Sequence, residues 1–279
     1  MTSDLALIGF GEAGSTFALA GDWRAHVFDI KTQTDAAAQM HARYADFGVT
    51  GAETLSDALA GAALVLSLVT ADQALAAAEA AAACLPHGAI FCDMNSVAPD
   101  TKRAAAQAIA AAGGRYVDVA VMAPVHPARL GVPLLLSGPD AAAGEAALAA
   151  LGFTNIRVVG DDIGRASTIK MLRSVIFKGM EALTAECVLA CHRADVLDEV
   201  LASLGAEWPA LADYRLDRMM VHGVRRAAEM EESAKTLTAL GVEPLMTRGT
   251  IARQRALGSL QISPIPDTLD AKLERLTRT

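Results

Sequence analysis

Apolar positions divide the 279-residue chain into two rhythms. From residue 4 to about 160, short apolar runs alternate with Ala-rich segments of helical character. The runs are "LALIGF", "AHVFDI", "ALVLSLV", "AIFCDM", "RYVDVAV", "VPLLLSG" and "NIRVVG". Runs that stay apolar at consecutive positions suit strands buried on both faces. Their alternation with helices predicts an α/β fold with a doubly wound parallel sheet. After "GDDIG" the strand pattern stops. Amphipathic segments at 165–192, 195–204, 208–232, 244–257 and 267–277 then predict an all-helical region. Two domains are expected, 1–163 and 164–279, the second supplying substrate contacts and a dimer face.

Composition narrows the function classes. Hydrophobic residues make up 53% of the chain and aromatics 4%, so small side chains and close helix packing dominate. A formal net charge of -8 argues against a nucleic-acid partner, which needs a clustered positive footprint. Cys84, Cys92, Cys187 and Cys191 lie in apolar surroundings without a CxxC, and buried hydrophobes in a reducing compartment are expected. No metal site is expected, because Cys187, Cys191 and His192 lack a fourth ligand at any usual spacing. The start "MTSDLALIGFG" has no basic segment followed by a removable apolar stretch, and no uncharged run has the length of a membrane span. The expectation is a cytoplasmic protein with no membrane partner.

The first apolar run leads into candidate chemistry. In "LIGFGEAGSTFALA", Gly9, Gly11 and Gly14 form G-x-G-x-x-G between a strand and a helix. The first glycine permits a tight turn, the second admits a pyrophosphate to the backbone, and the third lets helix and strand pack closely. This is the fingerprint of a Rossmann-type dinucleotide site, with Phe10, Glu12 and Ala13 completing the loop. Asp29 ends the next strand, where a carboxylate reaches the adenosine ribose hydroxyls. Lys31 offsets its charge, so NAD is expected with NADP as the alternative. "SLVTAD" and "DMNSVAPDTKR" follow later strands, and place Val69, Thr70, Asn95 and Ser96 at the ligand edge of the sheet. Asn95 and Ser96 equally fit helix N-caps.

Four stretches, "GFGEAG", "DMNSVAP", "YVDVAVMAP" and "GRASTIKMLRSVIFKGMEALTAE", occur in the order found in the beta-hydroxyacid dehydrogenase family, and over its first two thirds the chain resembles that family. The resemblance implies that Lys170 is the general acid/base for hydride transfer between nicotinamide and a hydroxyl/carbonyl pair. A lysine on a largely apolar helix is expected to have a lowered pKa suited to that role. Ser174 stands one turn on, where the family has a substrate-holding asparagine. Phe177 stands where the decarboxylating members have a glutamate, with Lys178 beside it, which puts decarboxylation in doubt.

The resemblance also marks departures. The family's serine and two glycines, which cradle the substrate carboxylate, are here Met122, Ala123 and Pro124, and Pro124 has no N–H to donate. His126 or Arg129, which follow at once, are read either as a replacement or as ordinary exposed loop positions. In the last third, which resembles the helical C-terminal domain of a branch of the family, His222, Arg226 and Glu229 share a helix face with Arg225 beside them. They are read either as an anion clamp or as a solvated face with ordinary ion pairs. The expected function is an NAD(P)-dependent oxidoreductase for a small anionic substrate, acting as a homodimer. Imine or enamine reduction on the same scaffold is one alternative, and a non-catalytic NAD(P)-binding sensor is another.

Overall fold

The computed structural model describes residues 4–278. The chain forms two compact units, Met1–Lys170 and Met171–Thr279. In the first, eight strands make one sheet: β1 (Leu5–Ile8), β2 (His26–Phe28), β3 (Thr50–Gly51), β4 (Leu64–Ser67), β5 (Ile90–Asp93), β6 (Arg115–Val121), β7 (Leu134–Ser137) and β8 (Ile156–Val158). Their order is β3-β2-β1-β4-β5-β6-β7-β8.

The consecutive apolar runs are used as expected. In β1, Leu5 and Leu7 enter one core and Ala6 and Ile8 enter another on the opposite face. Both faces are therefore covered, by helices α1 (Glu12–Gly21), α2 (Ala37–Asp46), α3 (Leu55–Leu59), α4 (Ala74–Ala82), α5 (Pro99–Ala111) and α6 (Ala141–Ala150). Phe10, Phe17 and Phe91 are fully buried in these cores, each contributing about 1.5–3 kcal/mol.

Two details depart from the apolar pattern. β3 is a two-residue, exposed edge strand with no apolar run to announce it. β7 pairs antiparallel with β6, whereas the other pairings are parallel. The link between β6 and β7 holds one short 3-10 turn and no α-helix, so it lacks the crossover that parallel neighbours require.

The remaining helices are α7 (Arg165–Ala194), α8 (Leu197–Leu204), α9 (Trp208–Ala239), α10 (Leu245–Gly258) and α11 (Leu269–Thr277). α7 is one 30-residue helix, and the division between units falls within it, after Lys170. α9 runs seven residues beyond the expected stop at 232. Its polar end is tolerated because Ser233 and Thr236 return their hydroxyls to the carbonyls of Glu229 and Glu232. α9 and α10 touch through glycines: a Cβ on Gly223 would lie 2.2 Å from the Gln254 carbonyl oxygen, and one on Gly258 2.4 Å from the Val224 nitrogen.

All four cysteines are free, but burial is uneven: Cys92 and Cys191 are buried, Cys84 is half-buried and Cys187 exposed. That corrects the expectation of four buried thiols. Burial pushes the Cys92 thiol up to about 12, so it packs as an inert hydrophobe. Among the described residues no helix is long and apolar enough to cross a membrane, and no cluster of three or more His, Cys, Asp or Glu forms a metal site.

Candidate active site

The glycine loop divides its work among the three positions. Gly9 has φ +88°, and a Cβ there would strike the Leu68 carbonyl oxygen at 2.6 Å, so strand and turn leave room for nothing larger. At Gly14 a Cβ would meet the Gly9 oxygen at 2.8 Å, which fixes the close approach of helix to strand. At Gly11 a Cβ would meet nothing within 4 Å. Space is therefore kept at the one glycine that packing does not require. Gly11 is also the N-cap of α1, with no side chain bonded across the helix end. Gly11 and Glu12 are exposed and Ala13 half-buried, so the amides and the positive end of the helix dipole are presented outward. These residues fit a dinucleotide pyrophosphate.

The rest of the loop is held from behind. Phe10 is buried, and its N–H donates to Asp29 Oδ2 at 2.8 Å. Asp29 Oδ1 accepts the Lys31 N–H at 3.0 Å. The buried Asp29 carboxylate thus braces the loop with one lone pair of each oxygen and retains acceptor capacity for ribose hydroxyls. Lys31 is exposed at this rim.

Arg43, on α2, was not among the expected residues. Its Nε donates to the Phe10 carbonyl at 3.1 Å and its Nη2 to Ser15 Oγ at 2.8 Å, while the guanidinium stacks over Phe47 at 5.2 Å. Only its spacing on an otherwise ordinary helix was visible in the sequence. Next to it, Tyr44 is buried, and burial pushes its pKa up to about 12.

At the neighbouring strand ends, Asn95 is buried and braces two loops. Its Oδ1 accepts the Val69 N–H at 2.7 Å and its Nδ2 donates to Ser67 Oγ at 2.9 Å. Thr70 precedes a short 3-10 turn on the same loop. The N-cap reading of Asn95 and Ser96 does not hold, since α5 starts at Pro99 with Ala98 as its N-cap. Proline at the first helical position needs no donor there.

Ser96 has a different partner. Lys170 Nζ donates to Ser96 Oγ at 2.5 Å, across 74 residues of sequence. Lys170 is half-buried, in the second turn of α7. The two groups expected to handle the proton and the substrate are therefore adjacent within the first unit.

The loop after β6 carries Met122, half-buried, followed by exposed Ala123 and Pro124. His126 Nε2 and Thr16 Oγ1 share a hydrogen bond at 3.0 Å, which ties this loop to α1 just behind the glycine loop. Arg129 is exposed on the following turn. An open pocket of 820 Å³ in the same unit is lined by Arg103, Gln107, Asp161, Asp162, Arg165 and Thr168, and by none of the expected site residues.

In the second unit, Ser174 is half-buried on α7. Lys178 is buried, and its Nζ donates to Glu229 Oε2 at 2.5 Å. Burial lowers the Lys178 pKa, with Glu229 partly restoring it. Arg226 closes on Glu181, which also accepts Gln254 Nε2 at 2.8 Å. Of the residues read as a clamp, Arg226 and Glu229 thus each have an ion-pair partner on α7. The guanidinium of Arg226 and the carboxylate of Glu229 serve as counter-ions between α7 and α9, and these pairs are largely buried rather than on a solvated face.

Comparison with known proteins agrees with this layout. Residues 4–159 match the NAD binding domain of 6-phosphogluconate dehydrogenase, more than half of the chain. The chain belongs to the beta-hydroxyacid dehydrogenase family. Residues 191–257 match a domain of unknown function, DUF1932. A conserved hypothetical protein from Sinorhizobium meliloti 1021 is 37% identical, with TM-score 0.77 over 100% of this chain and 97% of that one. The conserved protein MTH1747, whose structure is described as similar to 3-hydroxyacid dehydrogenases, is 32% identical, with TM-score 0.70 over 92% of this chain and 98% of that one. The 3-hydroxyisobutyrate dehydrogenase of Mycobacterium tuberculosis shares the fold at 14% identity, with TM-score 0.73 over the full length of both chains.

Proposed function

We propose that this family member is an NAD(P)-dependent oxidoreductase acting on a hydroxyl/carbonyl pair of a small anionic molecule, with Lys170 as general acid/base. The observation that carries the reading is the Lys170–Ser96 hydrogen bond in the same unit as the open Gly11 loop. The cofactor would be held by the amides of Gly11 to Gly14 at its pyrophosphate and by Asp29 at its ribose. A bound nicotinamide supplies or accepts the hydride. Lys170 gives a proton to the carbonyl oxygen in reduction, or takes it from the hydroxyl in oxidation. Ser96 accepts from the Lys170 ammonium and so aims it, and its own O–H is left to donate to the same substrate oxygen. Ser174, one turn along the same face of α7, is assigned to substrate orientation.

Pro124 and the side chains of Met122 and Ala123 leave no serine or paired glycine amides for a carboxylate. The anionic part of the substrate is therefore expected to be held by other groups, of which His126 is tied to α1 behind the glycine loop by its bond to Thr16. A regulatory protein that only senses NAD(P) has no use for an aimed ammonium, and the Lys170–Ser96 pair favours turnover.

The test is a screen of 2- and 3-oxo acids, and of ketones with added amines, against NADH and NADPH oxidation. Lys170→Ala should lose about two to four orders of magnitude in turnover while nucleotide binding by fluorescence stays near that of the native chain. Equal turnover by Lys170→Ala would overturn the role of Lys170. Nucleotide binding with no turnover of any carbonyl or imine would favour the sensor.

A further inference from the structure

One buried charge lies behind both members of the Lys170–Ser96 pair. Lys102, on α5, is fully buried. Its Nζ donates to the Asp93 carbonyl at 2.6 Å and pairs with Asp93 Oδ1 at 2.9 Å and Asp118 Oδ1 at 3.3 Å. Each carboxylate then accepts hydrogen bonds from a different segment. Asp93 Oδ1 accepts the Asn95 N–H at 2.9 Å, and Asn95 in turn holds Val69 and Ser67. Asp118 accepts the Ser167 hydroxyl at 2.7 Å, the Ser167 N–H at 3.0 Å and the Ser137 hydroxyl at 3.1 Å. Ser137 Oγ accepts the Ala166 N–H at 3.0 Å. The first branch ends one residue before Ser96, and the second caps the first turn of α7, three residues before Lys170.

The chemistry needs the lysine for more than filling space. Two buried carboxylates close together would oppose each other's ionisation, and a protonated carboxyl loses acceptor capacity. An ammonium between them keeps both as acceptors. Tyr116 donates to Asp93 Oδ2 at 2.7 Å, and burial pushes its hydroxyl well above the ordinary range, so it remains a donor. A core that needed only volume would be served by methionine, since buried ion pairs are often replaced by apolar side chains without loss. Here the Asn95 N–H and both the N–H and the hydroxyl of Ser167 donate to the two carboxylates, at the Ser96 loop and in the first turn of α7 that carry the proposed site.

We infer that Lys102 is a positioning residue: by balancing Asp93 and Asp118 it fixes the Ser96 loop and the first turn of α7, and so sets the Lys170–Ser96 pair. What the pair does rests on the function proposed above, whereas how it is held rests on this geometry alone.

The test reads Lys170 directly and needs no substrate. Competitive acetylation with acetic anhydride across the alkaline range, quantified peptide by peptide, gives the labelling rate and titration midpoint of Lys170 relative to exposed Lys235. In Lys102→Met/Asp118→Asn, which removes one charge of each sign, the relative rate at Lys170 should change by at least about threefold, half a pKa unit, with the midpoint displaced. Ser167→Ala keeps every charge, removes one bond to Asp118, and should move Lys170 in the same direction by less. If the double variant does not fold, Ser167→Ala carries the same readout. An unchanged Lys170 profile in a folded variant overturns the inference, and so does a change shared equally by all lysines. Should neither NADH nor NADPH bind the native chain, the proposed function fails, while the acetylation profile still decides whether the network sets Lys170.

Discussion

Gly11 and Gly14 sit three residues apart in one motif, yet the fold needs only one of them to be glycine for packing. At Gly14 an added methyl would press on the Gly9 carbonyl, while at Gly11 it would enter open space at a φ of -76°. Gly14→Ala should therefore cost about 1–3 kcal/mol of stability. Gly11→Ala should cost about 1 kcal/mol or less, because alanine is merely a poorer N-cap than glycine. Its main effect should be on nucleotide affinity, a loss of about tenfold or more, equivalent to 1.4 kcal/mol. Thermal unfolding and NADH titration of the two variants would separate the effects. If Gly11→Ala bound nucleotide normally, the space at Gly11 would have another purpose. The loop was legible in the sequence because glycine spacing encodes a local backbone path. Arg43 was not, because its bonds to Phe10 and Ser15 cross 33 and 28 residues. Lys102 left a usable trace: it shares the buried face of α5 with Ala105, Ala106 and Ile109, and a lysine on an apolar stripe needs a buried counter-charge.

Pairings between elements were harder to read than the elements. The apolar runs located seven strands and five late helices, since burial on both faces or on one stripe leaves a periodic record. The direction of β7 depended on the absence of an α-helix before it, and the fate of the charges on α7 and α9 depended on which helices meet. Lys178 shows the consequence. Glu229→Gln would leave its ammonium buried without the counter-ion that the structure shows, costing about 1–3 kcal/mol, less than for a wholly buried pair because Glu229 retains 22% side-chain exposure. The pH dependence follows from the lowered Lys178 pKa. Between the folded value and the ordinary 10.5, the unfolded chain holds more protons than the folded one, so stability from this group rises with pH. Without Glu229 the folded value falls further and the window widens. The deficit of Glu229→Gln should then be largest near neutrality and shrink as the solution becomes alkaline, as measured by urea unfolding at a series of pH values. A deficit that grew with pH would mean that Glu229 acts on some other group.

For the whole molecule, the net charge of -8 sets a field that the loop chemistry must work against. A nicotinamide dinucleotide is itself an anion, and the proposed substrate is another. The helix end at Gly11 and the exposed Lys31 act over short distances, whereas the net charge acts out to about a Debye length, roughly 30 Å at 0.01 M salt and 8 Å at physiological ionic strength. Added salt should screen the long-range repulsion first and leave the contacts at the loop largely intact. The association rate of NADH, followed by stopped-flow fluorescence, is therefore expected to rise as salt is added from low ionic strength. The rise should be steeper for NADPH, which carries an additional phosphate, if both bind. The opposite slope, a rate that falls with salt, would mean that the cations around the loop, Lys31 and Arg43 among them, dominate the approach path despite the acidic total. In that case NADPH should gain most from the local field, and the balance between Asp29 and Lys31 would be decided in favour of the phosphorylated cofactor. The sign of one salt dependence thus separates a site that selects its cofactor by Asp29 at contact from one that draws its cofactor in by charge.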